Sequence, residues 1–135
     1  MQIQPYLFFD GRCDEAIEFY QRAVGAKVGM RLTYKEGPEA AACGPDVDPN
    51  KVMHAQFQIG ETTVLASDGR CTGKPVFQGF GLSLTVRDPA EAAQRFNALA
   101  DGGQIQMPLA ETFFSPSFGM LADKFGVMWM VYVAK

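Results

Sequence analysis

Two stretches of the sequence share one plan: FFDGRCDEAIEFYQRAVGA at residues 8–26 and LTVRDPAEAAQRFNALADGG at residues 84–103. Each begins with strand-forming residues, passes through a turn that contains aspartate, enters a helix with a Glu-Ala pair, and ends at glycine. The two stretches are offset by about 76 residues, as expected for a duplicated structural unit. We therefore predict that the chain contains two copies of one unit.

Each of the two helices has an apolar face and recognisable ends. In the first, Gly25 follows as the expected stop, and the apolar face consists of Ala16, Ile17, Tyr20, Ala23 and Val24. In the second, Asp88 is placed to cap, Pro89 suits the first helical position, and Glu91 completes a capping box. The predicted apolar stripe there is Ala92, Ala93, Phe96, Leu99 and Ala100.

Strand signals surround both helices. The first unit has them at residues 2–9, 27–34, 52–59 and 62–66, and the second at 80–86, 104–107, 120–123 and 127–133. Residues 35–51, rich in proline and glycine, predict a mobile loop that covers a pocket, and residues 108–119 predict a second loop. The sequence therefore predicts an α+β protein of two βαβββ modules in one domain over 1–135, with modules at 1–68 and 79–135 and a linker at 69–78.

Charge and hydrophobicity exclude two classes of partner. The net charge is −3, with no run of neighbouring lysines or arginines, so we expect no nucleic acid and no anionic membrane surface as partner. No apolar run approaches the roughly 18 residues that span a bilayer. The N-terminus lacks the charged and apolar regions of a signal peptide, which predicts a cytoplasmic protein.

The cysteines indicate free thiols. The chain has three cysteines, Cys13, Cys43 and Cys71. Because their number is odd, their spacing is wide and no CxxC pair is present, the sequence indicates neither a disulfide framework nor a zinc site. Cys13 starts a helix, where a thiol pKa can be lowered, but a packed cysteine is the favoured interpretation.

Three stretches together identify a family. PYLFFDGRCDEAIEFYQRAVGA at 5–26, HAQFQIGETTVLASD at 54–68 and FFSPSFGMLADKFGVMWMVYV at 113–133 resemble the PhnB-like branch of the vicinal-oxygen-chelate (glyoxalase/bleomycin-resistance) superfamily, also labelled demethylubiquinone-methyltransferase-like. The resemblance implies two modules whose mixed sheets form a half-open barrel, usually completed by a homodimer. In metal-dependent members, one residue from each of four strands binds a divalent cation, which acts as a Lewis acid.

The residues at those four positions predict that the cation is absent. By the resemblance, the positions fall on Pro5, Gln56, Gly81 and Met130. Proline and glycine have no donor side chain, and a thioether is a poor ligand for a hard cation. We therefore predict no metal and no other cofactor; GFG at 79–81 also lacks the rest of any nucleotide-binding fingerprint.

The same resemblance places a cavity inside the sheets. It implies that Met130 faces the cavity while Trp129 packs against the helices. The predicted ligand-binding residues are Leu7, Phe9, His54, Gln56, Ser83 and Met130, an apolar lining with a few polar groups, which is typical of a small-molecule site. We expect an apolar or aromatic ligand; the alternative is that these side chains fill the barrel and leave no room.

His54, the only histidine, has two interpretations. It either hydrogen-bonds a ligand or acts as a general base in the pocket, or it orders the sheet or a dimer contact. The functional alternatives to simple binding are an isomerase or lyase that uses His54 as base, and a resistance protein that sequesters a drug.

Overall fold

The structure is a computed structural model that describes residues 1–36, 48–69 and 74–135. The chain divides into two compact units, Met1–Pro75 and Val76–Lys135. The first unit contains β1 (Tyr6–Phe8), α1 (Cys13–Val24), β2 (Lys27–Thr33), β3 (Val52–Ile59) and β4 (Thr62–Ser67). The second contains β5 (Leu82–Val86), α2 (Pro89–Ala100), β6 (Gln104–Ala110), β7 (Phe118–Ala122) and β8 (Met128–Val133).

Each unit forms one four-stranded mixed sheet. The first sheet has the order β1-β4-β3-β2, with β1 parallel to β4 and the other pairs antiparallel. The second has the order β5-β8-β7-β6, with β5 parallel to β8. Neither sheet closes on itself, and the two have the same topology. The predicted α+β class with two βαβββ modules is confirmed.

The helix ends follow the sequence signals. Gly25 ends α1 in the left-handed conformation at φ 68°, which glycine adopts without steric cost, and its N–H donates to the Tyr20 carbonyl. At α2, the Asp88 carboxylate accepts the Glu91 N–H at 2.8 Å. The Glu91 carboxylate accepts the backbone N–H of Arg87 at 2.9 Å, so the capping box closes one residue earlier than its usual form. The bond from the Arg87 N–H, together with the charge of Arg87, holds the pKa of Glu91 below its usual value.

Each helix covers one face of its own sheet. In the first unit, Tyr20 of α1 stacks on Phe57 of β3, with ring centroids 6.0 Å apart. In the second, Trp129 is buried and donates its indole N–H to Asp123 at 2.9 Å, which confirms that the Trp129 face of β8 is the packed one. The predicted apolar face of α1 is buried throughout, whereas Ala93 of α2 is exposed.

Two strands, β1 and β6, differ most in length from the prediction. The first was predicted over 2–9, but β1 spans only Tyr6–Phe8. Pro5 has no N–H for a ladder bond, and only its carbonyl pairs, with the Leu65 N–H at 2.9 Å. Conversely, β6 runs through Pro108 to Ala110, where a loop was predicted. It is an edge strand, so a proline there removes no necessary ladder bond.

Parts of the predicted loop and linker lie outside the described residues. The structure does not describe residues 37–47 of the predicted 35–51 loop or residues 70–73 of the predicted 69–78 linker. Cys43 and Cys71 are among these residues. Within the described ranges, neither helix has the length and hydrophobicity needed to cross a membrane.

Candidate functional site

The strand register gives the first sheet two chemically different faces. Leu7 pairs with Ala66 on the face that α1 covers. Its neighbour Tyr6 pairs with Leu65, which pairs with Gln56, so these side chains lie on the opposite face. We call this opposite face the first distal face; it carries Tyr6, Phe8, Met30, His54, Gln56 and Leu65.

A hydrogen-bonded chain of three side chains crosses the first distal face. Tyr6 Oη lies 2.9 Å from His54 Nδ1. On the other side of the imidazole, His54 Nε2 lies 3.4 Å from Gln56 Nε2. Both ring nitrogens of His54 therefore have partners, and the contact with Tyr6 of β1 orients the imidazole ring.

Aromatic rings flank this polar chain. The Tyr6 and Phe8 rings are stacked, with centroids 4.8 Å apart and planes inclined by 27°. The Tyr6 and His54 rings are 5.6 Å apart. Phe8 is 56% exposed although it is a large apolar side chain. The face thus combines an accessible aromatic surface with a small number of fixed polar atoms, which is the composition of small-molecule sites.

Leu7 and Phe9 do not lie on the distal face, although the sequence predicted that they line the ligand cavity. Leu7 is 1% exposed on the helix face, and Phe9 is fully buried beside Tyr20, with ring centroids 6.0 Å apart. The family-based alignment set the alternation of β1 one residue out of phase, and strand side chains alternate between faces. Tyr6 and Phe8, which were not among the predicted residues, lie on the first distal face instead.

The second sheet also has a face turned away from its helix. Ser83 pairs with Met130, and Met130 pairs with Met120, so the two predicted residues of this unit lie side by side. Tyr132 pairs with Phe118 on the same face. We call it the second distal face; it carries Ser83, Thr85, Phe118, Met120, Met130 and Tyr132.

An aromatic cluster covers one end of the second distal face. The Phe114 ring packs edge-on against Phe118 at 5.1 Å and stacks with Tyr132 at 6.2 Å. The loop that carries Phe114 is anchored by buried Ser115, whose Oγ lies 2.6 Å from the Val133 carbonyl oxygen. The hydroxyl of Ser115 therefore has a structural partner at the end of β8.

The residues at the family's ligand positions do not fit a hard divalent cation. Of the positions that the resemblance assigns to the metal, Gly81 supplies no side-chain donor, Met130 supplies a thioether, and the Gln56 amide already contacts His54. On β1 the corrected phase puts Tyr6 on this face in place of Pro5, and the Tyr6 hydroxyl already contacts His54. Over residues 1–36, 48–69 and 74–135, no three histidine, cysteine, aspartate or glutamate side chains are grouped to hold a metal ion. The side chains at these positions are therefore poor ligands for a hard divalent cation.

Cys13 is a packed cysteine. It is fully buried at the start of α1, and burial, together with the nearby Asp68 carboxylate, raises the pKa of its thiol. Asp68 accepts the backbone N–H groups of Gly11 and Cys13 at 3.1 and 2.7 Å, and that of Val52 at 2.6 Å. A raised pKa keeps the thiol protonated and unreactive, opposite to the effect expected at an exposed helix start.

The chain is similar to one protein family and to several individual proteins. A family model described as 3-demethylubiquinone-9 3-methyltransferase matches residues 1–132. Protein YjdN of Escherichia coli K12 is 35% identical over 142 aligned residues, covering 100% of this chain and 97% of that protein. Protein PA1353 of Pseudomonas aeruginosa is 40% identical with a TM-score of 0.86, covering 99% of this chain and 98% of its own. A PhnB protein from Bacillus cereus is 29% identical with a TM-score of 0.83, covering 99% and 100%.

More distant structures share the fold alone. A glyoxylase/bleomycin resistance protein/dioxygenase domain from Frankia sp. EAN1pec has a TM-score of 0.64 at 16% identity, covering 99% of this chain and 95% of that domain. The match confirms the predicted glyoxalase/bleomycin-resistance fold.

Proposed function

The chain belongs to the family described as 3-demethylubiquinone-9 3-methyltransferase, the PhnB-like branch of the glyoxalase/bleomycin-resistance superfamily, and we propose that this member binds a small apolar or aromatic molecule without a metal ion. Membership confirms the resemblance seen in the sequence. The proposed binding surface is the first distal face. A fold by itself does not select a ligand, so the proposal rests on the side chains of that face.

The observation that carries the proposal is an exposed ring beside a fixed polar chain. Phe8 exposes more than half of its surface next to the Tyr6–His54–Gln56 chain. An exposed aromatic surface is stabilised when an apolar molecule displaces water from it. The fixed polar atoms orient such a molecule without the entropy cost of ordering them on binding.

The metal-free part of the proposal rests on the donor set. Divalent cations of this kind are held by several ligands, which are oxygens of carboxylate and carbonyl groups or nitrogens of imidazole rings. Gly81 and Met130 offer none of these from their side chains, and on β1 the distal face presents the Tyr6 phenol. We propose that recognition depends on apolar contact and hydrogen bonding instead.

Indane, a flat hydrocarbon probe, tests this proposal by NMR titration of the chain in the presence of EDTA. We expect saturable shifts of the Tyr6, Phe8 and His54 signals that EDTA does not change. Gln56→Glu places a charge on the face and should weaken binding about tenfold, because the ligand must strip water from a carboxylate. The control is Gln21→Glu, the same change on the exposed side of α1. Equal affinities of the two variants, or shifts that require added metal, would contradict the proposal.

A second candidate function is an isomerase or lyase that uses His54 as general base. The observation in its favour is the 2.9 Å contact with Tyr6, because catalytic imidazoles are oriented by a hydrogen bond to one ring nitrogen. Unchanged turnover of an identified substrate by His54→Ala would remove this candidate.

We further propose a homodimer. The edge strands β2 and β6 expose large apolar side chains that a second copy would cover: Val28, Met30, Ile105 and Met107. Sedimentation over a range of concentrations checks this, and a constant monomer mass would contradict it. The odd number of cysteines supports a reducing, cytoplasmic location.

A further inference from the structure

The proton arrangement around His54 follows from its two contacts. Gln56 Nε2 only donates, so the 3.4 Å contact requires a lone pair on His54 Nε2. A neutral imidazole with a lone pair on Nε2 carries its proton on Nδ1. Because Nδ1 lies 2.9 Å from Tyr6 Oη, its N–H donates to the phenol oxygen. The Tyr6 oxygen is thus an acceptor from His54, and its own proton points elsewhere.

The Tyr6 O–H is available to a ligand. Within the described part of the chain, the Tyr6 hydroxyl has no hydrogen-bond partner besides His54. Tyr6 is 36% exposed, and its ring stacks on the more exposed Phe8 ring. The donors run in one direction, from Gln56 through His54 to Tyr6, and aligned hydrogen bonds polarise one another. The last O–H of such a chain is a strengthened donor.

We propose that Tyr6 O–H is the ligand-facing donor of the first distal face, so that the site selects flat apolar molecules that carry a carbonyl oxygen. This inference rests on the proposed function and names its ligand class. The carbonyl oxygen accepts from Tyr6 while the apolar body lies against Phe8. Gln56 and His54 are positioning residues, because they act on the ligand through the phenol.

Two measurements test the inference, and the first needs no ligand. His54 is the only histidine, so the imidazole-nitrogen NMR signals of the chain come from one residue. In the wild type we expect a protonated Nδ1 and a lone pair on Nε2. Tyr6→Phe keeps the ring but removes the acceptor of the Nδ1 proton. The proton should then move to Nε2, the tautomer that a free histidine side chain prefers, with the Gln56 amide turned so that its oxygen accepts. Tyr34→Phe removes a hydroxyl that donates to the Gly69 carbonyl, and should leave the tautomer unchanged.

The second measurement compares indan-1-one with indane, which differ by one carbonyl group. In Tyr6→Phe, the ratio of indan-1-one affinity to indane affinity should fall about fivefold while indane binding stays constant, as expected for the loss of one hydrogen bond. The ratio should not change in Tyr34→Phe.

The outcomes separate this inference from the proposed function. A proton on Nε2 in the wild type overturns the inference alone. If both probes bind and Tyr6→Phe leaves their ratio unchanged, the proposed function stands and the inference is overturned. If neither probe binds the wild type, the proposed function and the ligand class fall together.

Discussion

The two units share a topology but differ in the chemistry of their distal faces. Both sheets have the same strand order, and both bury an apolar face under one helix. The first distal face carries the polar chain of Tyr6, His54 and Gln56, whereas the second carries Met120, Met130 and aromatic rings. The two units are therefore alike on the faces that hold each of them together and differ on the faces away from the helices.

Buried aspartates give the largest expected difference between the units. Asp68 accepts N–H groups from the loop after β1, the start of α1 and the start of β3, whereas Asp123 binds Phe125, Val127 and Trp129 within its own hairpin. We expect Asp68→Ala to lower the free energy of unfolding by about 4 kcal/mol, since two buried N–H donors and one half-buried donor lose their acceptor. Asp123→Ala also leaves three buried donors without their acceptor, but it should cost less, because these donors lie in one hairpin that can open to water without separating distant parts of the chain.

Urea denaturation of both variants measures this difference. Asp101→Ala, at an exposed position after α2, is the control and should change stability by under about 0.5 kcal/mol. An Asp123→Ala variant that is less stable than Asp68→Ala would show that the long-range connections of Asp68 do not hold the first unit together.

Neighbouring residues of β1 sharpen the contrast between helix face and distal face. Leu7→Ala should cost about 3 kcal/mol of stability, because it leaves a cavity in the core. Phe8→Ala removes more atoms but should cost under about 1 kcal/mol, because the ring is mostly exposed. Thermal or urea unfolding compares the two. Equal losses of stability would contradict this assignment of the two faces and favour the sequence-based prediction that Leu7 lines the cavity.

Cys13 gives a smaller, pH-dependent effect in the first unit. Burial raises the pKa of its thiol in the folded chain, so the folded state holds the proton more tightly than the unfolded state. This contribution is complete below the thiol's ordinary pKa and is lost as pH rises above about 8.5, by at most about 1.4 kcal/mol per pH unit. Cys13→Ser should unfold with a weaker dependence on alkaline pH. The same dependence in both proteins would assign the effect to other groups.

The fold was predictable because its signals are local. Helix faces repeat every three or four residues, and Gly25 and Asp88 mark helix ends through contacts within one turn. The relation between residues 8–26 and 84–103 then indicated the duplication without any knowledge of pairing.

Only half of the candidate site was predictable, because distant residues decide which face of the sheet each β1 side chain occupies. His54 and Gln56 alternate with apolar Ala55 and Phe57, so their face was evident from β3 itself. The stretch Tyr6–Phe8 has a large aromatic or aliphatic side chain at every position and gives no such alternation. Its phase is fixed by parallel pairing with β4, a partner far along the chain, and no local pattern indicates that register.

Native mass spectrometry of freshly purified, tag-free protein, prepared without added metal, tests the central claim most directly. The account predicts a chain mass free of divalent ions that shifts by one molecule when indan-1-one is added, and a smaller bound fraction for Gln56→Glu than for Gln21→Glu. One divalent ion retained per chain, with probe binding lost on its removal, would contradict the account and make a metal-dependent site the better explanation.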